Sequence, residues 1–314
     1  MKTVVTSRPE RAARVIVSGG VAAFPTETVY GLGAHVFDED AVRAVFRAKG
    51  RPGDNPLIVH VADRRMIGTV AARIPEVARK FMRTFFPGPL TLVLPKRPEV
   101  PEVATAGLAT VGVRMPAHPV ARSFLRACGV PVAAPSANRS GRPSPTSWAA
   151  VVRDLGGRIP CVLKGPRAEV GLESTVVDCT GRVPVVLRPG AITLEQLQRV
   201  APGTRKATER DRKRGRSPGL RHRHYAPEAG LVIRDPSSRG CDVPVDAAYI
   251  GLYPPRGLNW KMKQRCSSVE HYARELFHFF RQCDQAGVRT IVCEAVPERG
   301  LGVALMDRIR RAAE

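Results

Sequence analysis

Between residues 8 and 200 short apolar runs alternate with segments whose apolar positions recur at helical spacing. Residues 8–18 carry a helical pattern, 21–25 read as a strand, and 38–49 (DEDAVRAVFRAK) open with acids and close with bases, as a helix dipole favours. PLIVHVAD, TLVLP, TVGVRMP and VPVAAPSAN then read as buried strands, separated by helices at 74–85 and 119–128. This rhythm leaves little choice but a mixed open α/β sheet flanked by helices. In such sheets ligands sit beyond strand ends, so polar residues that follow apolar runs become the candidates.

Residues 202–216 (PGTRKATERDRKRGR) break the rhythm, being dense in charge, poor in apolar residues and flanked by Pro and Gly. They mark a linker, read either as a solvated connector or as an arm that touches RNA. Beyond it, strands at 230–233, 247–252 and 290–293 and helices at 267–285 and 301–313 give a smaller α/β domain. The expected division is a first domain over 1–200, a basic linker over 201–228 and a C-terminal domain over 229–314. With 314 residues and 43% hydrophobic content the chain can bury a real core without staples.

Charge narrows the partners. Lys and Arg number 50 against 28 Asp and Glu, a net charge of +22, which suits polyanions such as nucleotide phosphates or RNA. Aromatic content is only 5%, and no stretch interleaves bases with aromatics as a base-stacking surface requires, so a pure RNA-binding module fits less well. The seven cysteines (Cys128, Cys161, Cys179, Cys241, Cys266, Cys283 and Cys293) are scattered and never form C-x-x-C, and they read as reduced thiols. No apolar run reaches the roughly 18 residues of a membrane span, and charges interrupt the N-terminal segment where a signal peptide needs an apolar core. A cytoplasmic protein without membrane contact is expected.

Five segments carry chemistry. Phe24 to Gly33 (FPTETVYGLG) gathers hydroxyls, a carboxylate and a tyrosine at a strand end, with Gly31 and Gly33 permitting a tight turn. Taken alone it could equally be a helix-capping turn. Lys49 and Arg51, held by Gly and Pro in KGRPGDNP, form a stiff phosphate clamp, with Asn55 beside them and His60 at the end of the following strand. Arg114 closes an apolar strand, so it is either ion-paired inside the fold or offered to a substrate carboxylate. Ser136, Asn138 and Ser140, in APSANRSG, repeat the pattern of small donors after a strand. Glu173-Ser174-Thr175 and then Arg188-Pro189-Gly190 complete the set. There is no P-loop, no H-E-x-x-H and no G-x-S-x-G, and Gly31-Leu32-Gly33 is not extended to G-x-G-x-x-G because Val36 stands in the third place. His222 and His224 alternate without a cysteine or carboxylate cluster nearby, so no metal-ligating residue is assigned.

In this order the segments FPTETVYGLG, KGRPGDNPLIVH, VRMP, APSANRSG and ESTVVD, followed by RPG, resemble the YrdC-type L-threonylcarbamoyladenylate synthase family. SPG at 217–219, HYAP at 224–227 and the ending GLGVALMDRIRRAA resemble its long form, with a linker and a C-terminal domain. The resemblance implies a YrdC-like twisted sheet plus a small Rossmann-like domain. It also implies an enzyme, a nucleotidyltransferase that joins L-threonine, bicarbonate and ATP into threonylcarbamoyl-AMP and pyrophosphate. That product serves the threonylcarbamoyl modification of the adenosine beside the tRNA anticodon. Thr28, His60, Arg114 and Ser174 would hold threonine, with Arg114 on its carboxylate. Lys49, Arg51, Asn55, Ser136, Asn138, Ser140 and Arg188 would surround ATP, and Ser217 and Tyr225 would reach it from a linker that acts as a lid. Lys49, Arg51 and a Mg²⁺ ion brought with ATP would offset the charge of the leaving group, with no organic cofactor. A separate tRNA threonylcarbamoyl transferase is the implied partner, with RNA contact through the basic linker as a further expectation. The alternatives are an RNA-binding module of the same fold without catalysis, and a carbamoyl-phosphate-using domain of the hydrogenase-maturation type. The acylphosphatase and zinc-finger segments of the latter are not visible here.

Overall fold

A computed structural model describes residues 1–213, 225–237, 246–255 and 258–314. Ser217, His222, His224 and Cys241 lie outside the described residues. Eleven strands among those described build the first sheet: β1 (Val4–Thr6), β2 (Ala22–Phe24), β3 (Gly31–His35), β4 (Ile58–His60), β5 (Leu90–Pro95), β6 (Thr110–Arg114), β7 (Val132–Ala134), β8 (Cys161–Leu163), β9 (Thr175–Asp178), β10 (Val185–Arg188) and β11 (Arg205–Lys206). In space they run β1-β8-β2-β3-β7-β4-β6-β5-β9-β10-β11. Pairing is mixed: β4 lies parallel to β6 and antiparallel to β7, while β5 is antiparallel to β6 and parallel to β9.

Register decides what this sheet exposes. Ile58 and His60 share a face because side chains alternate along a strand, and Arg114 stands opposite His60 while Ala134 stands opposite Ile58. These four therefore open onto one face. Val59, Val113 and Ala133, one residue out of phase, enter the main core on the other. Helices α1 (Pro9–Val17) and α6 (Pro119–Cys128) cover part of the first face, packing Ile16, Phe124 and Leu125 against Phe24 and Ala134. The uncovered part beside them is where the site lies. His60 and Arg114 close their strands, and the mixed pairing brings them, with Ala134 of β7, onto a surface shared by three adjacent strands.

Helix α2 (Glu39–Lys49) shows how local chemistry sets position. Asp38 caps it by accepting from the Ala41 N–H at 2.9 Å, and Gly50, in left-handed backbone with φ 60°, ends it. The Arg51 N–H then closes back on the Phe46 carbonyl at 3.1 Å, which turns the chain sharply and aims Lys49 and Arg51 at the sheet.

The second sheet is wholly parallel, with β12 (Gly230–Arg234), β13 (Ala248–Gly251), β14 (Met262–Arg265) and β15 (Thr290–Glu294) in the order β12-β15-β13-β14. Two helices, α10 (Val269–Gln285) and α11 (Gly302–Ala313), bury Leu276, Phe277, Phe280, Leu305 and Ile309 in its core. Val29, Leu172 and Tyr225 join that same core, so the two units are packed together. Two buried arginines fasten them. Arg281 of α10 donates to both Asp154 oxygens, at 3.0 and 2.7 Å, and to the Pro143 carbonyl. Arg308 of α11 donates to Glu173 at 2.9 Å and to the Pro189 carbonyl at 2.9 Å. Among the described residues no helix is long and apolar enough to cross a membrane.

Candidate functional site

Arg114 is the centre of the site. Only 4% exposed, it gives Nη2 to Glu27 Oε1 at 2.7 Å and Nη1 to Thr28 Oγ1 at 2.8 Å. Of the two readings of this residue from sequence, the ion pair inside the fold is present, and Arg114 also lines an open cavity; among the described residues its buried Nε has no partner. Burial pushes the Glu27 carboxyl up, but the charge and hydrogen bond of Arg114 more than offset this and leave it below its ordinary value. The Thr26 hydroxyl donates to the Val29 carbonyl at 2.6 Å, so across the 2.8 Å contact between the two threonines Thr28 is the donor. Every polar group of the turn is thereby oriented.

His60 lies beside Arg114, edge-on to Phe24. Burial, reinforced by the Arg114 charge, pushes its imidazole down to about 3, so it is neutral here. Ser174 meets Thr91 Oγ1 at 2.8 Å, and Arg188 donates to the Ser174 carbonyl at 3.1 and 3.0 Å and to its hydroxyl at 3.2 Å. Arg51 is held by the Asn55 carbonyl at 3.1 Å, with its own Nε buried and unpartnered, and burial lowers it to about 10. Tyr225, with φ 68° in left-handed backbone, stacks on Phe277 and lies under the Arg308 guanidinium. A bulky residue held in that conformation is strained, which is common where a chain is clamped over a site.

Thr28, Arg51, His60, Arg114, Ser136, Ser174, Arg188 and Tyr225 line one cavity. Lys49, Asn55, Asn138 and Ser140 stand behind its wall. The Lys49 ammonium, expected to face phosphate, is instead buried and donates to the Ser136 and Asn138 carbonyls at 2.6 Å each; desolvation, with Arg51 nearby, holds it well below its ordinary value. Asn138 orders its own loop through the Arg139 and Arg142 carbonyls and accepts from Ser136 at 2.5 Å, while the Ser140 N–H donates to the Lys49 carbonyl. Sequence reasoning gave no role to Glu27 or Glu173, although both stood inside quoted segments, each the one carboxylate beside hydroxyl residues in a polar turn. Arg281 and Arg308 carried no signal, because their partners lie in the other domain. No cluster of His, Cys, Asp or Glu able to hold a metal occurs among the described residues. Glu173, which lines the cavity, and Glu27, behind Arg114, are each committed to an arginine, so they do not form an oxygen cage for Mg²⁺.

Fold and site together define an α/β protein with a cation-walled cleft on the face of a mixed sheet, packed against a second, parallel α/β unit. Comparison with known proteins gives the lineage. Residues 14–190 match the family model Sua5_yciO_yrdC, described as telomere recombination, and 192–314 match Sua5_C, described as threonylcarbamoyl-AMP synthase, C-terminal domain; the chain belongs to this family. It is 43% identical to threonylcarbamoyl-AMP synthase of Pyrococcus abyssi, over 96% of this chain and 93% of that one. The Bacillus subtilis enzyme of the same name is 41% identical over 96% and 92%. The crystal structure of P. abyssi Sua5 complexed with L-threonine superposes with a TM-score of 0.86 at 40% identity, covering 99% of this chain and 97% of that one.

Proposed function

We propose that the protein is a nucleotidyltransferase that makes threonylcarbamoyl-AMP and pyrophosphate from L-threonine, bicarbonate and ATP, for threonylcarbamoyl modification of tRNA. The observation that carries this reading is Arg114, oriented by Glu27 and Thr28, in one cavity with Arg51 and Arg188. An amino-acid carboxylate suits the first cation and a nucleotide the other two. A pocket for RNA backbone has no need of the first. Relatives that carry the synthase name, and one solved with L-threonine, support the assignment.

In this mechanism the amine of threonine, its carboxylate held by Arg114, attacks the carbon of bicarbonate; a C–N bond forms, a C–O bond breaks, and the hydroxyl leaves as water with an amine proton to give a carbamate. A carbamate oxygen attacks the α-phosphorus of ATP, a new P–O bond forms, and the bond to the leaving pyrophosphate breaks. Both reactants are anionic, so Arg51 and Arg188 offset their repulsion, and catalysis is alignment plus electrostatics without a covalent enzyme intermediate. Neutral His60 adds no charge to the threonine side. Lys49 acts by holding the Ser136 and Asn138 carbonyls, which shapes the nucleotide wall. Mg²⁺ belongs to the substrate, carried by the triphosphate. Tyr225 covers the cleft, which shields a carbamate and a mixed anhydride that water destroys. A cytoplasmic setting and a tRNA threonylcarbamoyl transferase as consumer of the product follow from the reaction.

Pyrophosphate release from ATP by the purified protein, with and without L-threonine and bicarbonate, tests the reading. Release that needs both co-substrates is expected. No release, together with salt-sensitive tRNA binding, would replace it with an RNA-binding role.

A further inference from the structure

Glu173 is a difficulty for a site that receives anions. It lines the cavity, it is buried, and its neighbours Ser174 and Arg188 belong to the proposed substrate surface. An uncompensated carboxylate there would repel a triphosphate. The compensation comes from the other domain. Arg308, with 0% of its surface exposed, donates Nε to Glu173 Oε2 at 2.9 Å, while Ser144 donates to Oε1 at 2.5 Å. The same guanidinium gives Nη2 to the Pro189 carbonyl, next to Arg188, and Nη1 to Asp307 at 2.6 Å, and it lies over the Tyr225 ring. Asp307 is shared with Arg311 at 3.2 Å, so Arg308 is not fully neutralised by it.

We infer that Arg308 is a positioning residue for the nucleotide: from α11 it neutralises Glu173 beside Arg188, so that the cleft accepts an anion. This gives the C-terminal domain a part in substrate binding and rests on the proposed function. Burial pushes the Glu173 carboxyl up, yet the charges of Arg308 and then of Arg188, with the hydrogen bonds from Arg308 and Ser144, leave it below its ordinary value, in keeping with a carboxylate held ionised chiefly by Arg308.

The test compares full-length wild type, Arg308→Met and the double variant Arg308→Met/Glu173→Gln for pyrophosphate release over a range of ATP and threonine. Thermal unfolding of each checks that it is folded. Arg308→Met is expected to raise the KM for ATP by about tenfold or more, with a smaller change for threonine, because one unpaired buried carboxylate then faces the triphosphate. Removing that carboxylate as well should restore most of the loss. A packing role alone predicts no such rescue, and a double variant no better than the single one would overturn the inference, as would an unchanged ATP KM in Arg308→Met. Where Arg308→Met does not fold, the double variant decides: an ATP KM close to wild type supports the inference and a tenfold rise refutes it. Wild type that releases no pyrophosphate fails the functional reading separately. Calorimetric titration with Mg-ATP then compares the same proteins, and wild type that binds no ATP overturns both.

Discussion

At the scale of single residues, the molecule repeatedly buries a charge and gives it a partner at hydrogen-bond distance. Breaking a buried pair by removing one member costs about 3–5 kcal/mol, since the other is left uncompensated. Arg114→Ala should therefore lower stability by about that amount and also abolish threonine-dependent pyrophosphate release. Full activity in this variant would remove Arg114 from the site. His60 gives a pH signature. Its folded pKa of about 3 lies below that of an unfolded histidine, about 6.5, so between these values the unfolded chain binds a proton that the folded one refuses. Stability is then lost as pH falls from about 6.5 toward 3, at about 1.4 kcal/mol per pH unit. Denaturant unfolding at pH 6.5 and 4.5 should show about 2–3 kcal/mol more loss in wild type than in His60→Gln, and equal losses would mean that His60 is protonated in the fold.

Elements were the most legible level, and the reasons are local. The acids and bases of residues 38–49 announced α2, which forms over Glu39–Lys49 with Asp38 as its cap. Arg114 could be singled out because a charged group between Val113 and Met115 stands out in any reading, and Ser174 because it sits in a polar cluster just before an apolar run. Register could not be seen: nothing local says that His60 pairs with Arg114, or that Ile58 pairs with Ala134, and those pairings make the surface on which the site lies. Lys49 was misplaced for the same reason. Its carbonyl partners, on Ser136 and Asn138, come from a loop distant in sequence. Gly171 is a further case that only the structure reveals. Its φ is +77°, and a Cβ there would sit 2.4 Å from the Arg274 Cα of α10. Gly171→Ala should lower stability by more than 2 kcal/mol, measured by denaturant unfolding, because both backbones must move. A loss under 0.5 kcal/mol would show that the domain contact yields easily.

For the whole molecule, the interface between the domains is built with the materials of a core. Arg281 with Asp154, Arg308 with Glu173, and Tyr225 against Phe277 cross it. Partners of this kind couple the two units, so calorimetry should record one cooperative transition, and Arg281→Met should lower its midpoint or split it. Two resolved transitions in the wild-type protein would mean that the units unfold independently.

The pairing of Glu173 with Arg308 also has a history in each molecule. The two residues are 135 positions apart, so at about 5–20 residues per second a ribosome needs on the order of ten seconds to follow one with the other. Through that interval the first sheet can assemble with Arg114, Glu27 and Thr28 in place while Glu173 still lacks its arginine. A nascent chain can thus hold the amino-acid wall of the cleft before Glu173 on its nucleotide wall has met its arginine, and the order of synthesis sets the order in which the two become ready.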